Sequence, residues 1–247
     1  MAKIFLDPGH GAHDPGAVGK LTKEKDNVLK VGNRLKVLLE SAGHTVKMSR
    51  STDVFIELSE RARMANAWGA DYFISLHNNS ATATSATGFE TFIFDGPVSA
   101  ATSKLQASIH NAIASKIGIR DRGMKRGNLA VLRESAMPAV LVEYALISNA
   151  SDESILINKV EQLAQWTAEG ITAYAGGSVK PAAKPQPPKE DNEMAELLPN
   201  TKKEDMKNLL QRAYDEKVFS VNHSSKVNTM TRRQATDLLI SNVAQKK

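Results

Sequence analysis

Tyr72-Phe73-Ile74-Ser75-Leu76-His77 decides the fold. The turn Gly69-Ala70-Asp71 leads into this run, and polar Asn78-Asn79-Ser80 follow it at once. Six residues that are apolar almost throughout, rich in aromatic and branched side chains and closed by turn residues, read as a strand buried on both faces. Its histidine stands where the run turns polar, at the strand's carboxyl end. Upstream, Leu58–Trp68 reads as a helix and Thr45–Ser49 as another strand. Lys3–Asp7 is a third buried run, and Val28, Val31, Leu35, Leu38 and Ala42 fall on one helical face, with Asp26 as its expected cap and Gly43 as its end. Downstream, Gly88–Phe94, Leu129–Leu132 and Ala139–Val142 read as strands, and Ala100–Ile117 and Val160–Tyr174 as helices.

Alternation of this kind predicts an α/β fold: a twisted, mainly parallel sheet of about six strands flanked by helices. Ligands of such sheets collect beyond the carboxyl ends of the strands. If the strands run parallel, His10 after the first strand, His77 ending the third and Glu143 ending the last meet at one edge.

The chain is 247 residues long, enough for one ordinary domain and a smaller one. The break is legible in Gly176-Gly177-Ser178-Val179-Lys180-Pro181 through Pro187-Pro188-Lys189, where proline, alanine and lysine give an extended spacer. The expected layout is a main domain over residues 1–176, a Pro/Ala/Lys-rich linker over 177–190 and a small, mainly helical module over 191–247. In that module Thr201-Lys202-Lys203-Glu204 and Thr231-Arg232-Arg233-Gln234 both fit the capping box that starts a helix. Its core is small, which makes partner binding or self-association expected.

No cysteine is present, so any transition metal must be held by His and carboxylate, the donors of a catalytic rather than a closed structural zinc site. Residues 177–247 carry 13 Lys/Arg against 9 Asp/Glu, a mild basic excess without a dense basic run or aromatic stacking platform. Nucleic-acid binding is therefore not expected. Too few apolar residues precede Asp7-Pro8-Gly9 for a signal-peptide core or a membrane span. That predicts synthesis in the cytoplasm and no membrane insertion.

Four residues carry the candidate chemistry. His10 lies in Gly9-His10-Gly11, where the flanking glycines let the backbone turn tightly and aim an imidazole into a cleft; the bland alternative is a surface turn histidine. His77 is well placed for a site, or is a satisfied core histidine. Glu143 closes the apolar Ala139-Val140-Leu141-Val142, where a buried carboxyl is costly unless it binds a cation, pairs with an arginine such as Arg133, or is tuned for proton transfer. Glu24, in the polar loop Leu21–Asp26, reads by itself as a solvated charge. A serine hydrolase is disfavoured, because Ser75 and His77 lie two apart on one strand and lack the geometry of a nucleophile–base pair.

In order along residues 2–175, these segments resemble the zinc-dependent N-acetylmuramoyl-L-alanine amidases of the type 3 family. The matching pieces are Asp7–Gly11, Glu24, Arg50 with Asp53, Leu58 with Arg61 and Ala65-Asn66, Ser75–Asn79, and Pro138–Glu143 with Ser148-Asn149. The resemblance implies that His10, Glu24 and His77 hold one catalytic Zn2+. It makes Glu143 the carboxylate that takes a proton from attacking water and returns it to the leaving amine. It further implies peptidoglycan as substrate, a wall-binding role for the C-terminal module, and an endolysin or autolysin that reaches the wall once the membrane is permeabilised. Asp7 is the candidate to hold a ligand imidazole in its tautomer. Asn78 and Tyr144-Ala145-Leu146 depart from the family pattern and are expected to reshape the pocket wall. The competing readings are a zinc carboxypeptidase-like peptidase with Arg133 as its carboxylate clamp, and a catalytically dead wall-binding protein.

Overall fold

The computed structural model of the chain describes residues 1–179. The C-terminal module and the linker beyond Val179 lie outside the described residues. The order is β1 (Lys3–Pro8), α1 (Glu24–Ser41), β2 (Thr45–Met48), α2 (Leu58–Trp68), β3 (Tyr72–Asn79), β4 (Phe89–Phe94), α3 (Ala100–Ile117), β5 (Asp121–Gly127), α4 (Ala130–Arg133), β6 (Ala139–Leu146), α5 (Ala150–Asn158) and α6 (Val160–Ala175). The six strands form one sheet in the order β2-β1-β3-β6-β4-β5. Neighbours run parallel except β4 against β6.

Strand alternation sorts the core into two layers. Ile4, Leu6, Ile74, Leu76, Val140 and Val142 point to the side covered by α1, α3, α5 and α6. Phe5, Phe73 and Leu141 point to the other side, against Ala65 of α2 and Val131 and Leu132 of α4. The second face is covered by α2 and the four-residue α4. Asp7, Ser75, His77 and Glu143 continue its alternation toward the strands' carboxyl ends. Among the described residues no helix is long and apolar enough to cross a membrane.

Four expectations need correction. Residues 129–132 are not a strand; Ala130–Arg133 is a short helix. The strand lies earlier, at Asp121–Gly127, and its charged, half-exposed sequence suits a sheet edge, where one flank is unpaired. Neither His77 nor Glu143 ends its strand, because β3 runs on to Asn79 and β6 to Leu146. Finally, α1 starts at Glu24 without a side-chain cap, ahead of Asp26. The Glu24 and Lys25 amides instead donate to the carbonyls of Ala17 and Pro15 in the preceding loop, which satisfies orphan donors that a capping side chain would otherwise serve.

Candidate active site

Parallel pairing of β1, β3 and β6 brings the proposed residues to one edge. His77 and Glu143 are register partners on adjacent strands, and paired residues project to the same face. His10 follows β1 in a left-handed conformation (φ 62°) that is uncommon for a residue with a Cβ. Two buried arginines hold it there. Arg50 donates through Nε to the Pro8 carbonyl and through Nη2 to those of Gly9 and Lys25. Arg61 donates to the carbonyls of Pro8 and His10 and to Asp7 Oδ1, all at 2.8 Å. Three consecutive carbonyls of the loop are thus fixed by guanidinium groups, the over-determination that a strained functional backbone requires.

Glu24 sits at the centre. Its Oε2 lies 3.1 Å from His10 Nε2 and accepts from the Ala17 amide. Its Oε1 lies 2.8 Å from His77 Nδ1 and accepts from the Asn78 amide. The two imidazoles meet edge to face, with centroids 5.0 Å apart. One ligand atom from each of His10, Glu24 and His77 falls within 4.8 Å of the others, which makes the three a possible metal-binding group. Glycine makes the approach possible. A Cβ on Gly16 (φ 65°) would lie 2.6 Å from both Glu24 Oε2 and His10 Cδ2. One on Gly9 would lie 2.2 Å from His77 Cε1.

Electrostatics follow from burial and pairing. Burial pushes the Glu24 carboxyl up, but hydrogen bonds and charge from His10 and His77 outweigh it and hold it well below the usual carboxylate range. Burial would lower His77; the hydrogen bond and charge of Glu24, with Glu143 beyond, raise it to about 9. His10 is raised by the same partner against its own burial. Glu143 is raised to about 8 by burial. Its Oε2 is buried with no hydrogen-bond partner among the described residues, an arrangement whose cost points to a functional role.

Several residues differ in role from the sequence reading. Asp7 does not touch an imidazole; it accepts from Ser49, Arg61 and Ser75, so Ser75 is bound to a carboxylate rather than to His77. The carboxylate that holds a ring is Asp14, 2.8 Å from His10 Nδ1, and it turns Nε2 toward Glu24. Sequence reasoning missed it inside an Asp-Pro-Gly turn. Arg133 is bonded to Asn128 and Glu134, not to Glu143. Tyr144 points into the core, where its hydroxyl meets Thr167 Oγ1, so it forms no part of the pocket wall. Also unforeseen is Glu153, a buried carboxylate that accepts from the Leu21 and Thr22 amides and so pins the loop leading into Glu24.

A profile described as N-acetylmuramoyl-L-alanine amidase matches residues 4–173. The sporulation-specific N-acetylmuramoyl-L-alanine amidase of Bacillus subtilis (strain 168) is 41% identical over 175 residues, covering 69% of this chain and 67% of that protein. The endolysin of Bacillus phage SPP1 is 43% identical over 176 residues, covering 68% of this chain and 64% of the endolysin. Among solved structures, the catalytic domain of CwlV, an N-acetylmuramoyl-L-alanine amidase from Bacillus (Paenibacillus) polymyxa var. colistinus, superposes with a TM-score of 0.68 at 34% identity. It covers 72% of this chain and 100% of that one.

Proposed function

The chain belongs to the N-acetylmuramoyl-L-alanine amidase family and is a peptidoglycan amidase, and from that premise we propose a division of labour among its site residues. His10, Glu24 and His77 hold one zinc ion, and Glu143 moves the proton while the amide between the lactyl group of N-acetylmuramic acid and L-alanine is hydrolysed. The observation that carries this reading is the unpartnered, buried Glu143 Oε2 beside three mutually facing donors.

The donor set fits zinc: two imidazoles and one carboxylate with no thiolate are the ligands of catalytic rather than structural sites. Bound there, zinc supplies Lewis acidity toward the scissile carbonyl and toward water. Asp14 fixes the His10 ring so that Nε2 faces inward. Arg50 and Arg61 keep the His10 backbone from relaxing out of its left-handed turn. Glu143 Oε2 accepts the proton of attacking water and returns it to the leaving amine nitrogen. Burial that brings its carboxyl to about 8 suits a group that must both take and give a proton near neutral pH.

Arg133, the clamp a carboxypeptidase reading needs, is already engaged by Asn128 and Glu134. A dead wall-binding domain gains nothing from an unpaired buried carboxyl. The mildly basic residues 191–247, joined by the linker 177–190, complete the reading as a wall-retention module.

Mass spectrometry of digested sacculi tests the chemistry. The expected products are intact stem peptides with a free L-alanine amine and unsubstituted lactyl carboxylates. Chelator and Glu143→Gln should each abolish them, the variant by at least about 100-fold in rate with zinc content kept. Shortened stems would overturn the amide assignment, and an active Glu143→Gln would overturn its proton role. For the module, a chain ending at residue 179 should keep its activity on soluble muropeptides but lose retention on sacculi.

A further inference from the structure

The row of side chains that holds His77 and Glu143 continues across the sheet. Glu143 on β6 is the register partner of Glu90 on β4, and paired residues share a face. Glu90 is 2% exposed and carries three partners: Asn79 Nδ2 through Oε1, and Arg122 Nε and Lys125 Nζ through Oε2. These two cations against one carboxylate leave a net positive charge beside the catalytic carboxyl, on the edge strand β5.

Arg122 is built into place. Its Nε is 2.7 Å from Glu90 Oε2. Its stem crosses Gly88, where a Cβ would come within 2.7 Å of Arg122 Cγ and 2.8 Å of Cδ. Among the described residues neither terminal Nη group has a hydrogen-bond partner, and the side chain is 29% exposed. A guanidinium fixed on its Nε side, with an open fork toward solvent, is pre-organised for bidentate binding of a carboxylate. Lys125, held on the same Glu90 oxygen with its ammonium 5.7 Å from the Phe92 ring centroid, adds charge without a fork.

We propose that Arg122 is the subsite for a stem-peptide carboxylate, specifically the α-carboxylate left free on an acidic residue that follows the alanine at the scissile amide and continues the stem through its side-chain carboxyl. The span fits. Standard backbone dimensions put that carboxylate within roughly 7–8 Å of the scissile carbon. Strand spacing puts the β5 backbone roughly 10 Å from that of β6, and an arginine side chain bridges the remainder. This subsite rests on the amidase reading above, and it makes Arg122 a specificity residue, separate from the group that moves the proton.

The test uses two synthetic muramyl tripeptides that differ only at the second residue, one with a free α-carboxylate and one with its carboxamide. Wild-type protein should favour the acid by about ten-fold in kcat/KM, the size of a charge-assisted pair at a partly exposed site. Arg122→Gln should bring the ratio to near one while its rate on the amide stays within about two-fold of wild type. Arg122→Lys should fall between, since it keeps the charge and loses the fork. Because both substrates meet the same enzyme preparation, the ratio is independent of how much of a variant folds. A wild-type ratio near one, or a ratio unmoved by Arg122→Gln, would overturn the subsite. Failure of wild-type protein to cut either peptide or sacculi at the lactyl amide would instead overturn the amidase reading itself.

Discussion

Zinc uptake by the metal-free protein should release protons and tighten steeply with pH, and the size of the effect follows from the geometry around Glu24. The Glu24 carboxylate lies 2.8 Å from His77 Nδ1 and 3.1 Å from His10 Nε2, so in the absence of metal it stabilises protons on both rings. His77, raised to about 9, is then mostly protonated at pH 7. A ligand nitrogen must be deprotonated, so metal and proton compete for it. At pH 7 that competition weakens binding about a hundredfold, ~2.7 kcal/mol, and at pH 9 only about two-fold. Apparent affinity should therefore rise roughly fifty-fold between pH 7 and pH 9 from His77 alone. Glu143 adds a second, separable contribution. With its carboxyl at about 8 it too carries a proton at pH 7, and a cation placed beside it expels most of that proton. Chelator-competition titrations across pH give the affinity, and calorimetry in buffers of different ionisation enthalpy gives the proton count. Wild type at pH 7 should release close to one proton more than Glu143→Gln. An affinity that is flat or falling between pH 7 and pH 9 would refute the pairing of Glu24 with the two imidazoles. Equal proton release by wild type and variant would refute the protonated state of Glu143.

Three further outcomes follow from the same contacts. The folded-state pKa of Glu143 lies above its unfolded value, so the native state holds the extra proton and loses stability as pH rises from about 4.5 through about 8. Metal-free Glu143→Gln should accordingly be more stable than wild type at pH 9 by a few kcal/mol, with the gap closing by pH 5; urea unfolding at the two pH values measures it, and a gap that does not shrink on acidification refutes it. Gly16→Ala should fold yet hold little zinc, because its Cβ would lie 2.6 Å from Glu24 Oε2 on a backbone already at φ 65°. Elemental analysis beside circular dichroism checks this, and full zinc content would contradict it. Arg61→Ala leaves Asp7 buried without its cation and removes donors from the Ile56, Pro8 and His10 carbonyls. The loss should be about 3–5 kcal/mol in urea unfolding, and a loss under about 1 kcal/mol would contradict the role assigned to it.

What could be read from the chain divides along a physical line. Hydrophobic pattern reports which positions are buried, not which partners buried groups choose. The strands at Lys3, Tyr72 and Ala139 were legible because both faces are covered, and so were His77 and Glu143, because each interrupts or closes an apolar run. β5 was not: an edge strand that displays Arg122, Lys125 and Arg126 has no apolar period to detect. The antiparallel setting of β4 was hidden too, since direction depends on where a connection lands rather than on strand composition. Glu24, Asp14 and Glu153 were illegible for the opposite reason. Each is a charge in or beside a polar loop, where solvation is the ordinary outcome, and the fold buries Glu24 and Glu153 only because imidazole rings and backbone amides converge on them. Only the family motif singled out Glu24, and nothing in the local sequence singled out Asp14. The asymmetry follows from energetics. A buried carboxylate costs several kcal/mol unless paired, so a chain that sinks Glu24 between two imidazoles must also supply the clamps that keep it there. Those clamps, Arg50 and Arg61 on the His10 turn and Glu153 on the loop before α1, lie up to 133 positions from the loops they hold. Distance in sequence is what hid them, and dependence on them is what makes the site one cooperative unit: loosening any one clamp should register first as weaker metal binding, ahead of any change in the sheet.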